Sequence, residues 1–291
     1  MKDKYAKYLL LAPGVFILIS TIVYPIVQSF WISLHEWNLT ESSNIGSFIG
    51  IENFLRAFRD PEFMNSLRIT IIFTILTVFL SLLFSLGISL LFSKEKKHYS
   101  YIRAFLVIPF AMSPILVSFS WRFMLDPEYG LFHAIIGFFV PSLSSIVWLG
   151  QSLPALISVI SVVLWIWVPF ITLILVSGIM AIPGEIYEAA NIDGANSLQK
   201  LFTITFPMLK PIIGICIILQ TMFALKVFDP IVALTEGGPG NSTNILNYNV
   251  YQTGFRFFDM GYASAIAYIL VIILVCLAGF YMRILMKGDN L

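Results

Sequence analysis

Glu188 and Asp193 place two carboxylates in a run of small residues, Ala189, Ala190, Gly194 and Ala195. Carboxylates on an exposed helix accept charge-assisted hydrogen bonds from a basic partner, each worth roughly 1.5–3 kcal/mol. The alanines let the partner's surface come close. That is the chemistry of docking. Lys226 and Asp229, three apart and preceded by Gln220 and Thr221, form a second constellation. Ionisable groups inside a membrane span cost about 2.5–3.5 kcal/mol at its centre, which marks them for a solute pathway. At i and i+3 they can equally neutralise each other, and a lysine near the boundary can snorkel. Trp165 and Trp167, with Ser158, Ser161 and Thr172, set aromatic platforms beside hydroxyls, and Tyr262, Ser264 and Tyr268 do the same. This is a surface that suits a sugar, although packing and interfacial belts use the same aromatics.

Other chemistries lack their parts. His35, His98 and His133 fall in three separate loops without ligands at metal spacing. The glycine-rich T-E-G-G-P-G-N-S-T string has no Gly-Lys-Ser/Thr, which a phosphate-binding loop needs, and reads as a flexible external turn. No intramembrane Ser–His or paired-Asp arrangement points to hydrolysis. Cys216 and Cys276 lie in apolar runs and read as small packing residues. A net charge of +1 argues against nucleic acid as a partner.

The elements that must position these residues are membrane spans. The chain is 58% hydrophobic and 11% charged, against roughly a quarter charged for a soluble protein. A span needs about 20 mostly apolar residues, and six runs qualify: Tyr8–Trp31, Ser66–Phe92, Ile102–Leu125, Leu153–Met180, Met208–Phe228 and Met260–Met286. The first is too long for a secretory signal core and reads as an uncleaved span. Leu131–Trp148, split by Pro141, is too short and reads as an interfacial or re-entrant piece. Phe48, Ile51, Phe54, Leu55 and Phe58 recur at helical spacing in the first outer loop and predict a short amphipathic helix there. Thus 1–65 holds the first span and outer loop, 66–286 a five-helix core, and 287–291 a tail.

Charge sets the expected orientation. With both termini inside, the inner segments hold Lys2, Lys4, Lys7, Lys94, Lys96, Lys97, Arg103, Lys200, Lys210, Arg283 and Lys287, eleven of the seventeen Lys and Arg. The positive-inside bias then puts the polar loop 184–207 in the cytoplasm. Within it, Gly194 should break one helix, because glycine costs about 1 kcal/mol relative to alanine in a helix interior. A second short helix, with Leu198, Leu201, Phe202 and Thr205 on one face, should run from Asn196 to Phe206 and end at Pro207.

Read as a string, the loop is E-A-A (Glu188–Ala190), three residues, Gly194, nine residues, then Ile204-x-Phe206-Pro207. This resembles the EAA loop of the membrane subunits of bacterial and archaeal binding-protein-dependent ABC importers, EAA-x3-G-x9-I-x-L-P, with Phe206 where leucine is usual. Ile182-Pro183, Asp60-Pro61, the T-x-G-G-P at Thr235–Pro239, the L-A-P-G at Leu11–Gly14 and the string Phe48-x-Gly50-x-x-Asn53-Phe54 are similar to the carbohydrate-importing branch, maltose and oligosaccharide type, and to the first of its two paired permeases. The resemblance implies an all-α membrane protein with the six-helix type I importer permease fold, in the bacterial or archaeal cytoplasmic membrane. It is not an enzyme on this reading. The implied partners are a second homologous permease, two ATP-binding cassette subunits that hold ATP and magnesium, an extracytoplasmic solute-binding protein and membrane lipid. The residues Glu188, Ala189, Ala190, Asp193, Gly194, Ala195, Ile204 and Pro207 would couple to an ATPase subunit. Trp165, Gln220, Thr221, Lys226, Asp229, Ser264 and Tyr268 are the pathway candidates. Two alternatives stand: a secondary transporter with Lys226/Asp229 as its ion-coupling pair, and an ABC permease for a non-carbohydrate solute such as a glycerophosphate.

Overall fold

The computed structural model describes residues 2–93 and 97–288, so Lys94 and Lys96 of the expected inner cluster, and residues 289–291 of the tail, lie outside it. The chain forms two compact units, 1–64 with 249–273 and 65–248 with 274–291. Among the described residues, five helices are long and apolar enough to span a bilayer: α1 (Leu10–Ser33), α3 (Pro61–Phe92), α7 (Ser152–Met180), α9 (Ser197–Leu225) and α12 (Met260–Arg283). Shorter elements are α2 (Glu52–Arg59), α4 (Tyr101–Ala111), α5 (Pro114–Met124), α6 (Leu131–Phe139), α8 (Gly184–Ile192), α10 (Asp229–Leu234) and α11 (Leu246–Tyr251). At 1.5 Å per residue, the 29 residues of α7 comfortably exceed the roughly 30 Å of hydrocarbon they must cross.

The expected third span is broken. α4 and α5 meet at 92° across Met112 and Ser113. Pro114 has no N–H to continue the α4 ladder, and it pushes Ser113 into an extended conformation (φ −62°, ψ 124°). Beyond α5, the doubtful apolar stretch yields only the nine residues of α6 before a short 3₁₀ turn at Pro141–Leu143. It does not cross. Two of the three π-helical turns among the described residues, Ile19–Val23 and Leu201–Thr205, each end two residues before a proline, Pro25 and Pro207. The wider turn moves the preceding carbonyls away from the pyrrolidine ring, so both prolines sit inside continuous spans. Pro207 therefore does not end the second loop helix, which runs on through α9.

In the first unit, Asp60 accepts the Glu62 amide (2.9 Å) and caps α3, with Pro61 at the first helical position. Its other carboxylate oxygen accepts the Tyr262 hydroxyl at 2.7 Å. Arg56 pairs with Asp259 (2.8 Å) and lies 4.1 Å over the Tyr262 ring. The α2 helix forms where expected, but its buried residues are Asn53 and Ala57, while Ile51, Leu55 and Phe58 are exposed. Asn53 donates 3.0 Å bonds to the carbonyls of Ser33 and His35, where α1 ends and leaves carbonyls unsatisfied. None of the apolar window of α1 is buried within the chain.

In the second unit, α7 is the central rod, with buried residues along its length from Ala155 to Ile179. An aromatic ladder ties three elements together: Phe110 of α4 stacks on Phe170 of α7 (4.6 Å), and Trp167 of α7 stacks on Phe223 of α9 (3.7 Å). The glycine-rich string does not form a free turn. Thr243, fully buried, places its hydroxyl within hydrogen-bond distance of the Thr235 hydroxyl (2.7 Å) and the Gly238 carbonyl (2.8 Å), and Glu236, Gly237, Gly240 and Asn241 take positive φ. Arg122, at the end of α5, donates to the Ala233 carbonyl in the last turn of α10 at 3.0 Å.

Candidate functional site

The polar loop closes α8 by local rules. Asp193 is its C-cap, Gly194 follows at φ +74°, Gly194 N–H donates to Asn191 O (3.1 Å) and Ala195 N–H to Ala190 O (2.9 Å). These two bonds are the Schellman motif, in which a left-handed residue satisfies the last carbonyls. Glycine fits there because a side chain pays roughly 1–2 kcal/mol for that backbone. Asn196 then starts α9 with a reciprocal capping box: its Oδ1 accepts the Gln199 amide (2.9 Å), and Gln199 Oε1 accepts the Asn196 amide (2.8 Å). So the helix–glycine–helix expected in the loop 184–207 is present, closed by caps and without a flexible link.

Three further contacts brace it. Tyr187 OH and Thr205 Oγ1 share a hydrogen bond of 2.9 Å across the hairpin, and Lys200 Nζ donates to Asn191 Oδ1. Beside it, Gly178 of α7 admits α9 so closely that a Cβ there would lie 2.4 Å from Ile212 Cδ1. The two spans that flank the loop are thus locked together at its root. A cavity of about 800 Å³ opens between α8, the start of α9 and the ends of α3 and α7, with Tyr187 and Lys200 in its wall.

The docking candidates fall as a surface requires. Glu188, Ala189, Asp193, Gly194 and Pro207 are exposed, and Ala190, Ala195 and Ile204 are half-buried. Ile192, at the tip of α8, is 87% exposed. The face of the second helix is divided: Thr205 is buried, but Leu198 and Phe202 are 66% and 64% exposed. Ile192, Leu198 and Phe202 carry a large apolar area on a polar loop, the mark of an interaction site.

The pathway candidates are scattered. Gln220 is fully buried in α9, and neither of its amide atoms finds a partner among the described residues. Thr221 donates to Ile217 O (2.7 Å) and lies 3.3 Å from the Tyr281 hydroxyl. Lys226 and Asp229 do not pair. Lys226 is the C-cap of α9, and the backbone swings to φ −142° at Phe228 before Asp229 opens α10, so they never share a helical turn. Trp165 is half-exposed with its ring 6.2 Å from Trp121. Ser264 is half-buried in the first unit, and there the Tyr268 hydroxyl donates to the Ile26 carbonyl. One feature escapes a reading focused on charge: Ser66, Thr70, Thr74, Thr77, Ser81, Ser85 and Ser89 form a buried stripe along α3. Their spacing of three and four was legible as one helix face, and small hydroxyl residues allow close helix packing in a membrane.

Residues 84–285 match the family model described as the inner membrane component of binding-protein-dependent transport systems. The chain belongs to that family. It is 34% identical over 289 residues to the trehalose/maltose transport system permease protein MalF of Thermococcus litoralis, covering 98% of this chain and 95% of that protein. It is 32% identical to the sulfoquinovosyl glycerol permease protein SmoG of Agrobacterium fabrum (99% and 92% covered), and 30% identical to the sn-glycerol-3-phosphate permease protein UgpA of the same organism (98% and 96%). In fold it is similar to a chain of a bacterial ABC transporter that imports alginate, with a TM-score of 0.83, 18% identity, and 98% and 96% covered. The chain is accordingly a multi-pass membrane permease subunit with the type I importer fold.

Proposed function

We propose that this permease forms half of the pore of an ATP-driven carbohydrate importer and is driven by a separate ATPase through α8 and the start of α9. The observation that carries the reading is the exposed, capped E-A-A hairpin with Ile192 at its tip, braced to α7 and α9. A force on α8 passes through the Schellman turn and the Tyr187–Thr205 bond into two spans packed at Gly178. Rocking of those spans around a fixed site is how such pores alternate access. ATP and magnesium belong to the partner, and both termini and the hairpin face the cytoplasm.

The sugar cargo is supported by the substrates named for MalF and SmoG. UgpA, named for glycerol 3-phosphate, supports a phosphorylated polyol as the second reading. The ion-driven alternative loses its motive, because Lys226 and Asp229 form no coupling pair. The test is co-purification of the tagged chain, co-expressed with a second permease and an ATPase. Ile192→Glu should release the ATPase while the chain stays in the membrane with the second permease. An unchanged ATPase yield would overturn the docking role.

A further inference from the structure

A groove of about 540 Å³ opens where α3, α4, α5 and α7 meet. Phe84 of α3, Phe105 and Pro109 of α4, Trp121 of α5 and Trp165 of α7 form its wall, and no charged side chain lines it. Its one hydroxyl, on Ser161, already donates to the Ile157 carbonyl at 2.9 Å. The volume falls in the range of small-molecule sites, about 300–1,000 Å³, but such sites orient a polar ligand with several placed polar groups, and beside Ser161 this wall offers only the indole N–H groups of Trp121 and Trp165. Water is excluded on the same ground, since a buried water needs two to four polar partners. An empty groove forfeits dispersion contacts along its lining. A groove with this lining suits hydrocarbon.

Shape narrows the choice. The two limbs of the broken span, set at 92°, both contribute to the wall. A straight helix of a partner, 10–12 Å across, cannot follow both limbs. A flexible chain can. We propose that this groove is a binding site for a single lipid acyl chain, which fills the wedge beneath the α4–α5 break and props its angle. Phe84, Phe105 and Trp165 in its wall are each at least half exposed in this chain, which leaves the groove open for entry, and Trp165 becomes part of a lipid site instead of a sugar platform. The inference rests on the membrane-spanning fold and is independent of the cargo and of the ATPase contact.

The experiment uses the assembled transporter in vesicles of dioleoylphosphatidylglycerol doped with the same lipid carrying a photoactivatable diazirine midway along one acyl chain. After illumination, adducts are mapped by peptide mass spectrometry. The proposal expects adducts on Phe105 and Trp121, and their loss in Leu164→Trp, which fills the groove, while adducts on α1 persist. Ser161→Phe, a smaller intrusion, guards against a variant that fails to fold and should lose the same adducts. Groove adducts that survive both fillings would overturn it, as would a photo-crosslink to the partner permease from Leu164→Cys carrying a benzophenone maleimide, which would make the occupant protein.

Discussion

Gly194 carries its role through backbone geometry. At φ +74° it is strained for most side chains, yet an added Cβ would meet nothing within 4 Å. Alanine there should cost about 1–2 kcal/mol, and asparagine, which visits this region more readily, should cost less. Substrate-stimulated ATP hydrolysis by the reconstituted complex should therefore fall in the order Gly194, Gly194→Asn, Gly194→Ala; equal rates for the two variants would show that the turn does not transmit force. Asn53 is the corresponding fixed point of the first unit. Asn53→Ala leaves two carbonyls without their donor, and the complex should be less stable by about 1–3 kcal/mol, read as a lowered midpoint in thermal unfolding in detergent. Gln220 poses the opposite case. A buried amide without partners is costly, so Gln220→Leu should raise thermal stability; if Gln220 meets cargo in another conformation of the cycle, transport falls in the same variant. Unchanged transport would remove it from the pathway.

Elements were legible in the sequence to the degree that their signals are local. The E-A-A hairpin was, because a glycine at C′ and an Asn-x-x-Gln box act within one turn of chain. The Asp60-Pro61 step was legible as punctuation, although its second task, holding the Tyr262 hydroxyl, depends on a residue two hundred positions away. Pro207 was misjudged because nothing in composition announces the π turn that accommodates it. The α4–α5 break was missed because hydropathy over the whole run averaged out Ser113 and Pro114. Lys226 and Asp229 seemed a pair only while one continuous helix was assumed. Packing between elements was invisible from the start, and Gly178 is the clearest instance. Gly178→Leu would drive α7 and α9 apart where they meet the hairpin, and overpacking of this kind costs about 1–3 kcal/mol. Its expected signature is ATP hydrolysis that continues while transport stops; transport that keeps pace with hydrolysis would show that the root of the hairpin need not be rigid.

At the scale of the whole molecule, the chain is built to be completed by others. The first span buries nothing of its apolar window in its own chain, and the hairpin exposes Ile192, Leu198 and Phe202 beside two carboxylates. The apolar spans were plain in the sequence, as was the family, because both rest on long runs and on one spaced motif. The cargo was not, because the polar groups that would select it lie apart in this structure, Gln220 and Thr221 buried and Lys226 exposed. The central claim is that the hairpin faces the cytoplasm and receives force from an ATPase there. Cysteine labelling tests it most directly: Ile192→Cys, in a chain with exposed Cys276 changed to serine, is treated with a membrane-impermeant maleimide in right-side-out and inverted vesicles. Labelling only in inverted vesicles, and protection when the ATPase subunit is added back, is the predicted result. Labelling from the right-side-out face would contradict the account.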